Sequence, residues 1–312
     1  MDSWERSLED LARRLARQGT RPRALAPRTQ ATYLEDCRLV ARWMAAQGLE
    51  GPERISASAL EACFRELGWS AATRRRALTS TREWLAPLFP PNRSPADLVQ
   101  APRVVQPTIP RLSQADAAAL LDGLDPGVGD DRRVARALAL RDRALLEVLY
   151  GSGLRRQEAC DLVLSAVDFE HETLRVQGKG GKARTVPLTE PAIDALRAWL
   201  AEGRPRLVPP GVFAPAGRAH LFVSRRGRPL DGSTVYRIVA RELRRAGRAG
   251  GPHLLRHAAG THLLEGPDGS GGAHLRVVQE VLGHSSLATT QRYTGVTTRA
   301  MQGALRRGHP RG

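Results

Sequence analysis

The sequence predicts a mostly α-helical chain in two domains, the second carrying a small β-hairpin or sheet. Three observations predict it. Apolar residues recur at helical spacing through residues 4–85, and seven prolines fall between Pro87 and Pro110. Beyond them, two short alternating runs flank a glycine-rich loop in "LRVQGKGGKARTVPL", residues 174–188.

Each element follows from a local pattern. Trp4, Leu8, Leu11 and Leu15 share one helical face, and Gly19 marks the stop. Tyr33, Cys37, Val40 and Met44 repeat that spacing, and "SALE" at 58–61 reads as a capping box. "SAATRRRALTSTREWL" predicts a fourth helix with Leu78 and Trp84 on its apolar side. The prolines then disfavour helix, so 87–112 reads as an extended linker between domains at 1–86 and 113–312. Helices are expected at 113–123 and 131–150, strands at 174–176 and 186–188, and a further strand at "LFVS", 221–224. Helices follow at 232–246, 252–264, 274–282, 286–293 and 297–306, while 203–220 reads as a Pro/Gly-rich surface loop.

Composition narrows the function. The net charge is +16, with 17 Arg against 12 acidic residues in 1–105 and 31 Lys+Arg against 20 beyond it. A basic excess in both halves points to a polyanion, and 4% aromatics is sparse for single-strand stacking platforms. Duplex DNA contacted through its phosphates fits best. Three scattered cysteines (Cys37, Cys63, Cys160) fit neither a disulfide framework nor a thiolate metal site. A charged N-terminus and the absence of any long apolar run predict a cytoplasmic protein with no membrane partner.

The chain holds 46 arginines and two lysines, Lys179 and Lys182, both in the Gly loop. GxxxxGK[ST] is not met, because Ala183 follows Lys182. His257 and His262 lack the Glu of a zinc HExxH motif, so no metal and no cofactor is expected. His253 and Arg256 lie three apart on a predicted helix, Arg155 follows a Gly-rich break, and His284 follows Gly283. Tyr293 stands among small polar residues beside Arg292, unlike Tyr33, Tyr150 and Tyr236 in apolar helical patterns.

Four motifs, "ALLEVLYGSGLRRQEACDL", "GKGGKARTVPL", "GPHLLRHAAGTHLL" and "LRVVQEVLGHSSLATTQRYT", occur in that order over most of 110–300. Together they resemble the signature of the tyrosine recombinase (phage integrase) family. "TQATYLEDCRLVARWMAAQG" and "TRRRALTSTREWL" resemble its helical core-binding domain, and "LRRGHPRG" resembles the ending of the Xer subgroup. Arg156, Gln157 and Ala259 depart from the usual family residues, and the loop 265–274 is longer than usual.

The resemblance implies a two-domain DNA clamp: a SAM-like core-binding domain and an α+β, integrase-like catalytic domain ending in a protomer-contact helix. It implies a catalytic set of Arg155, Lys179, His253, Arg256, His284 and Tyr293. Tyr293 would be the nucleophile forming a 3′-phosphotyrosyl link, and Lys179 the general acid on the leaving 5′-oxygen. Arginine serves that role poorly, because its pKa lies too far above neutrality. Arg74, Arg75, Arg76, Lys182, Arg184 and Arg292 are candidate DNA contacts, and Glu158 and Asp161 could orient Arg155. The implied activity is site-specific recombination through a Holliday junction in chromosome or plasmid dimer resolution. It would involve a homo- or hetero-tetramer on two duplex sites, with a paired recombinase or accessory activator, in the nucleoid. A phage or mobile-element integrase is the alternative, and a type IB topoisomerase-like strand transferase a further one.

Overall fold

The structure is a computed structural model that describes residues 2–18, 25–103, 111–123, 132–178, 183–208, 219–266, 272–283 and 298–311. Contacts divide the chain into two compact units, Met1–Pro107 and Thr108–Gly312.

The first unit is helical: α1 (Ser3–Gln18), α2 (Pro27–Ala46), α3 (Ala57–Glu66), α4 (Ala71–Leu85) and the single turn α5 (Pro95–Leu98). Leu11, Leu15, Cys37, Val40, Met44, Leu60, Leu78 and Trp84 form its core, as the helical spacing predicts. The two indoles pack 6.1 Å apart at Trp4 and Trp84, and Trp84 Nε1 donates to Ser7 Oγ at 3.3 Å. Ser56, not Ser58, caps α3, its Oγ accepting from the Ala59 N–H, so the cap sits two residues early and, with Ala59 at the third helical position, is not the expected box. Residues 87–103 are not simply extended. They carry α5, bury Ala96 and Val99 in this core, and are pinned where Arg82 Nε donates to the Ala96 carbonyl at 3.0 Å.

The second unit runs α6 (Gln114–Asp122), α7 (Arg132–Gly151), α8 (Arg156–Asp161), β1 (Val167–Asp168), β2 (Thr173–Gln177), β3 (Ala183–Pro187), α9 (Glu190–Ala198), α10 (Arg204–Leu207), α11 (Gly232–Arg245), α12 (Pro252–Glu265), α13 (Leu275–Leu282) and α14 (Thr298–Gly308). The sheet is antiparallel in the order β1-β2-β3, and its hairpin pairs Leu174 with Val186 and Val176 with Arg184. Leu174, Val176 and Val186 are fully buried in the same core as α7, to which Ala144, Leu145, Leu146, Val148, Leu149 and Tyr150 contribute.

Two expectations fail here. The third strand is Val167–Asp168, whereas 221–224 contributes the isolated bridge Val223–Pro229 and does not join the sheet. The predicted loop from 203 begins inside a helical run, because α9 continues through a π-helical stretch, Trp199–Gly203, into α10. Trp199 is buried there and donates Nε1 to the Leu221 carbonyl at 3.0 Å, so the widened turn accommodates an indole. Among the described residues all three cysteines are buried, and no helix is long and apolar enough to cross a membrane. The helix expected at 286–293 lies outside the described residues.

Candidate active site

Four elements of the second unit converge on one cluster. At the end of α7 the chain turns through Gly153, at φ +58°, where a Cβ would sit 2.5 Å from the Leu282 side chain. Glycine is needed for both reasons. Arg155 then caps α8, and its N–H donates to Glu158 Oε2 at 2.7 Å, closing the first helical turn.

Arg155 Nη1 donates to Glu158 Oε1 at 2.8 Å, and Nη2 to the Gly283 carbonyl at 2.8 Å. From the second turn of α12, the buried Arg256 donates Nη2 to the Leu282 carbonyl at 2.6 Å and Nη1 to the Gly153 carbonyl. Both guanidiniums therefore rest on the carbonyl end of α13, where orphan acceptors and the negative end of the helix dipole favour cations. Each guanidinium has five N–H donors, and two of each are used in this way among the described residues.

Glu158 is the counter-charge. It is 5% exposed and accepts Arg184 Nη1 on Oε1 at 2.8 Å and Nη2 on Oε2 at 3.0 Å, besides its two bonds from Arg155. Burial alone would raise its pKa, but the Arg184 fork and the N–H and guanidinium of Arg155 together hold it below the ordinary value. Arg256 is lowered as well, for a different reason. Burial, then the neighbouring charges of Arg155 and Arg184, lower it to about 10 despite Glu158. Three guanidiniums share one carboxylate, so the cluster is cationic at neutral pH and suited to an anion with several oxygens.

His253 stands exposed in the first turn of α12, three residues before the buried Arg256. Lys179, Lys182, His284, Arg292 and Tyr293 lie outside the described residues. In sequence, His284 directly follows Gly283, whose carbonyl holds Arg155. In the first unit Arg75 is exposed, while Arg76 is engaged by the buried Asp36 through two bonds of 2.9 and 2.8 Å. Arg74 lines a small hollow of about 230 Å³ with Phe64, Arg65 and Val99.

A second polar group escaped the sequence reading. Tyr150, expected as packing, is buried and its hydroxyl lies 2.8 Å from His262 Nδ1, while His262 Nε2 lies 2.9 Å from the Leu112 carbonyl. A carbonyl can only accept, so Nε2 carries the proton and the tyrosine hydroxyl donates to Nδ1. The His309 ring packs on Tyr150 with centroids 4.7 Å apart, and Arg311 bridges the buried Glu147 and Asp122. The segment 298–311 is thus held against its own chain, α14 burying Met301 and Leu305 beside Leu263 and Val281. The readable signal was Glu147, a carboxylate inside the apolar run "ALLEVLY".

The sequence model of the phage integrase family matches residues 111–299. Tyrosine recombinase XerC of Mycobacterium sp. (strain KMS) is 40% identical over 271 residues, covering 86% of this chain and 81% of the relative. Tyrosine recombinase XerC of Mycobacterium leprae (strain TN) is 42% identical over 240 residues, covering 76% and 74%. Among solved structures, XerH site-specific recombinase bound to its difH substrate aligns with a TM-score of 0.63 at 19% identity, over 91% and 92% of the two chains. A lambda integrase dimer bound to a core site aligns at 0.62 and 17% identity, over 94% and 99%. At those identities the structures speak for the fold. With 40% identity to curated relatives over most of its length, the chain belongs to the phage integrase family, among its tyrosine recombinases of the Xer type.

Proposed function

We propose that the chain cleaves and rejoins duplex DNA at a specific site through a 3′-phosphotyrosyl intermediate. The observation that best supports this is the pair Arg155 and Arg256, anchored on neighbouring carbonyls of α13 with donors to spare. In the reading, Tyr293 Oη attacks the scissile phosphorus, the P–O5′ bond breaks, and Lys179 protonates the leaving 5′-oxygen. Arg155 and Arg256 hold the non-bridging oxygens as charge builds in the phosphorane, an effect for which one prepositioned donor contributes ~10²–10³ in rate. His253 and His284 supply hydrogen bonds and proton transfer at the tyrosine and phosphate.

The phosphotyrosyl bond retains the phosphodiester's free energy, so a 5′-hydroxyl from another strand can attack it and release Tyr293 without a nucleotide or metal. Two such exchanges pass through a Holliday junction. The related XerH and lambda integrase structures carry DNA, and by that likeness the partner here is duplex DNA, with protomers assembled on two sites. The two units would clamp the duplex, with Arg75 among the phosphate contacts. Likeness to XerC favours chromosome or plasmid dimer resolution in the nucleoid over phage integration.

The test is a nicked suicide duplex carrying a site selected from a random DNA pool by binding to this protein. Wild type should give an adduct that survives SDS, and Tyr293→Phe should give none. An adduct with Tyr293→Phe would remove the assigned nucleophile.

A further inference from the structure

Arg184 faces inward. It sits on β3 opposite Val176, on the hairpin face that also carries Leu174 and Val186, and its side chain is 17% exposed. A buried cation needs a partner, and both its terminal nitrogens go to Glu158. Its guanidinium and stem also lie against the turn that closes α13. A Cβ built on Gly283 would come within 2.8 Å of Arg184 Nε and Cζ and 3.0 Å of Cδ. One side chain thus touches β3, the first turn of α8 through Glu158, and the turn preceding His284.

A carboxylate offers about four acceptor sites, and those of Glu158 take four bonds, two of them from Arg184. Remove Arg184 and two acceptor sites fall vacant beside Arg155. Guanidinium and carboxylate prefer two parallel bonds. Arg155 would then turn its fork onto Glu158 and release the Gly283 carbonyl that it now holds through Nη2. Lysine could restore the charge at position 184 but not the fork.

We infer that Arg184 is a positioning residue for DNA cleavage: by occupying half of Glu158 it keeps Arg155 directed at the scissile phosphate, and by packing on Gly283 it fixes the β3 strand against the α13 turn. The inference rests on the phosphate-binding role proposed for Arg155. It also sets Arg184 apart from a DNA contact, since its fork is committed to Glu158.

The experiment uses the full chain and the selected suicide duplex. Single-turnover cleavage at saturating protein, the Kd for the uncut site and Tm are measured for Arg184→Ala, Arg184→Lys and Arg155→Ala. Arg184→Ala and Arg184→Lys should both cleave about 10- to 100-fold more slowly at saturation, the range for one charge-assisted hydrogen bond. Their Kd should stay within about threefold, less than the loss of a phosphate contact. If Arg184→Ala does not fold, Arg184→Lys decides. A lowered Tm with an unchanged saturated rate would mean Arg184 serves structure alone, and overturns the inference. So would a weaker Kd with an unchanged rate, which marks a phosphate contact. Should Arg155→Ala cleave as wild type, the functional reading itself fails. If Arg155→Ala is inactive and both Arg184 variants are not, Arg184 alone is misassigned.

Discussion

Replacing Glu158 by glutamine keeps the shape of the side chain and removes its charge. The two carboxylate oxygens accept four hydrogen bonds, from the Arg155 N–H, Arg155 Nη1 and both terminal nitrogens of Arg184. Glutamine retains one oxygen and turns an NH₂ toward donors, so two charge-assisted bonds are lost, each contributing about 1.5–3 kcal/mol. Arg155, Arg184 and Arg256 are also left without their shared anion, and breaking a buried ion pair costs about 3–5 kcal/mol. The two routes overlap rather than add, so a loss of about 3–5 kcal/mol is expected. At about 2–4 °C per kcal/mol for a unit of this size, Tm should fall by roughly 6–20 °C. Cleavage should fall with it, because Arg155 loses the group that orients it.

The pH dependence carries the sign. Glu158 is held below its unfolded value of 4.5, so its stabilisation is present above that value and is lost as pH falls through the lower folded value. Thermal melts of wild type and Glu158→Gln from pH 8 downward should show a gap that is constant near neutrality and closes below pH 4.5. A gap under about 2 °C at pH 7 would show that the arginines need no shared anion. A gap that stayed constant at the acid end would show that the variant acts by packing, not charge.

Two further outcomes follow from the same unit. Gly153→Ala must place a Cβ 2.5 Å from Leu282 at φ +58°, so α13 should shift at a cost of about 2–5 kcal/mol, read as a lower Tm and slower adduct formation. His309 is lowered by burial, then by the charge of His262, to about 3 from an ordinary 6.5; its docking is therefore fully stable above 6.5 and weakens as pH falls toward 3. By pH 5 the loss is about 2 kcal/mol, so amide exchange across 298–311 should accelerate on acidification, and His309→Gln should flatten that response.

Much of the fold was legible because its elements obey one period each. Leu174, Val176 and Val186 alternate and are buried; Trp4, Leu11 and Leu15 recur helically and are buried. No helix was expected over 190–207, and the end of that run was assigned to the Pro/Gly-rich loop 203–220. Yet Pro191 sits in the first turn of α9, where no N–H is needed, and Gly203 packs its bare Cα on the Trp199 ring. The 221–224 run looked like a strand because it is apolar. It is buried instead beneath Trp199, whose indole takes the Leu221 carbonyl that a ladder would have used.

In the cluster itself, motif spacing nominated Arg155 and Arg256, and Arg184 stood among the candidate DNA contacts; the structure pairs its fork with Glu158. Its register already carried that pairing. Two residues before the buried Val186 on a two-residue period, it had to point inward, and an inward arginine demands a carboxylate. The carboxylate it meets is Glu158, three residues after Arg155. Glu147, a carboxylate in an apolar run, meets Arg311 by the same rule. Where the pattern that builds the fold is broken by a charge, the structure holds either an anchor or the chemistry, and here Glu158 supports both.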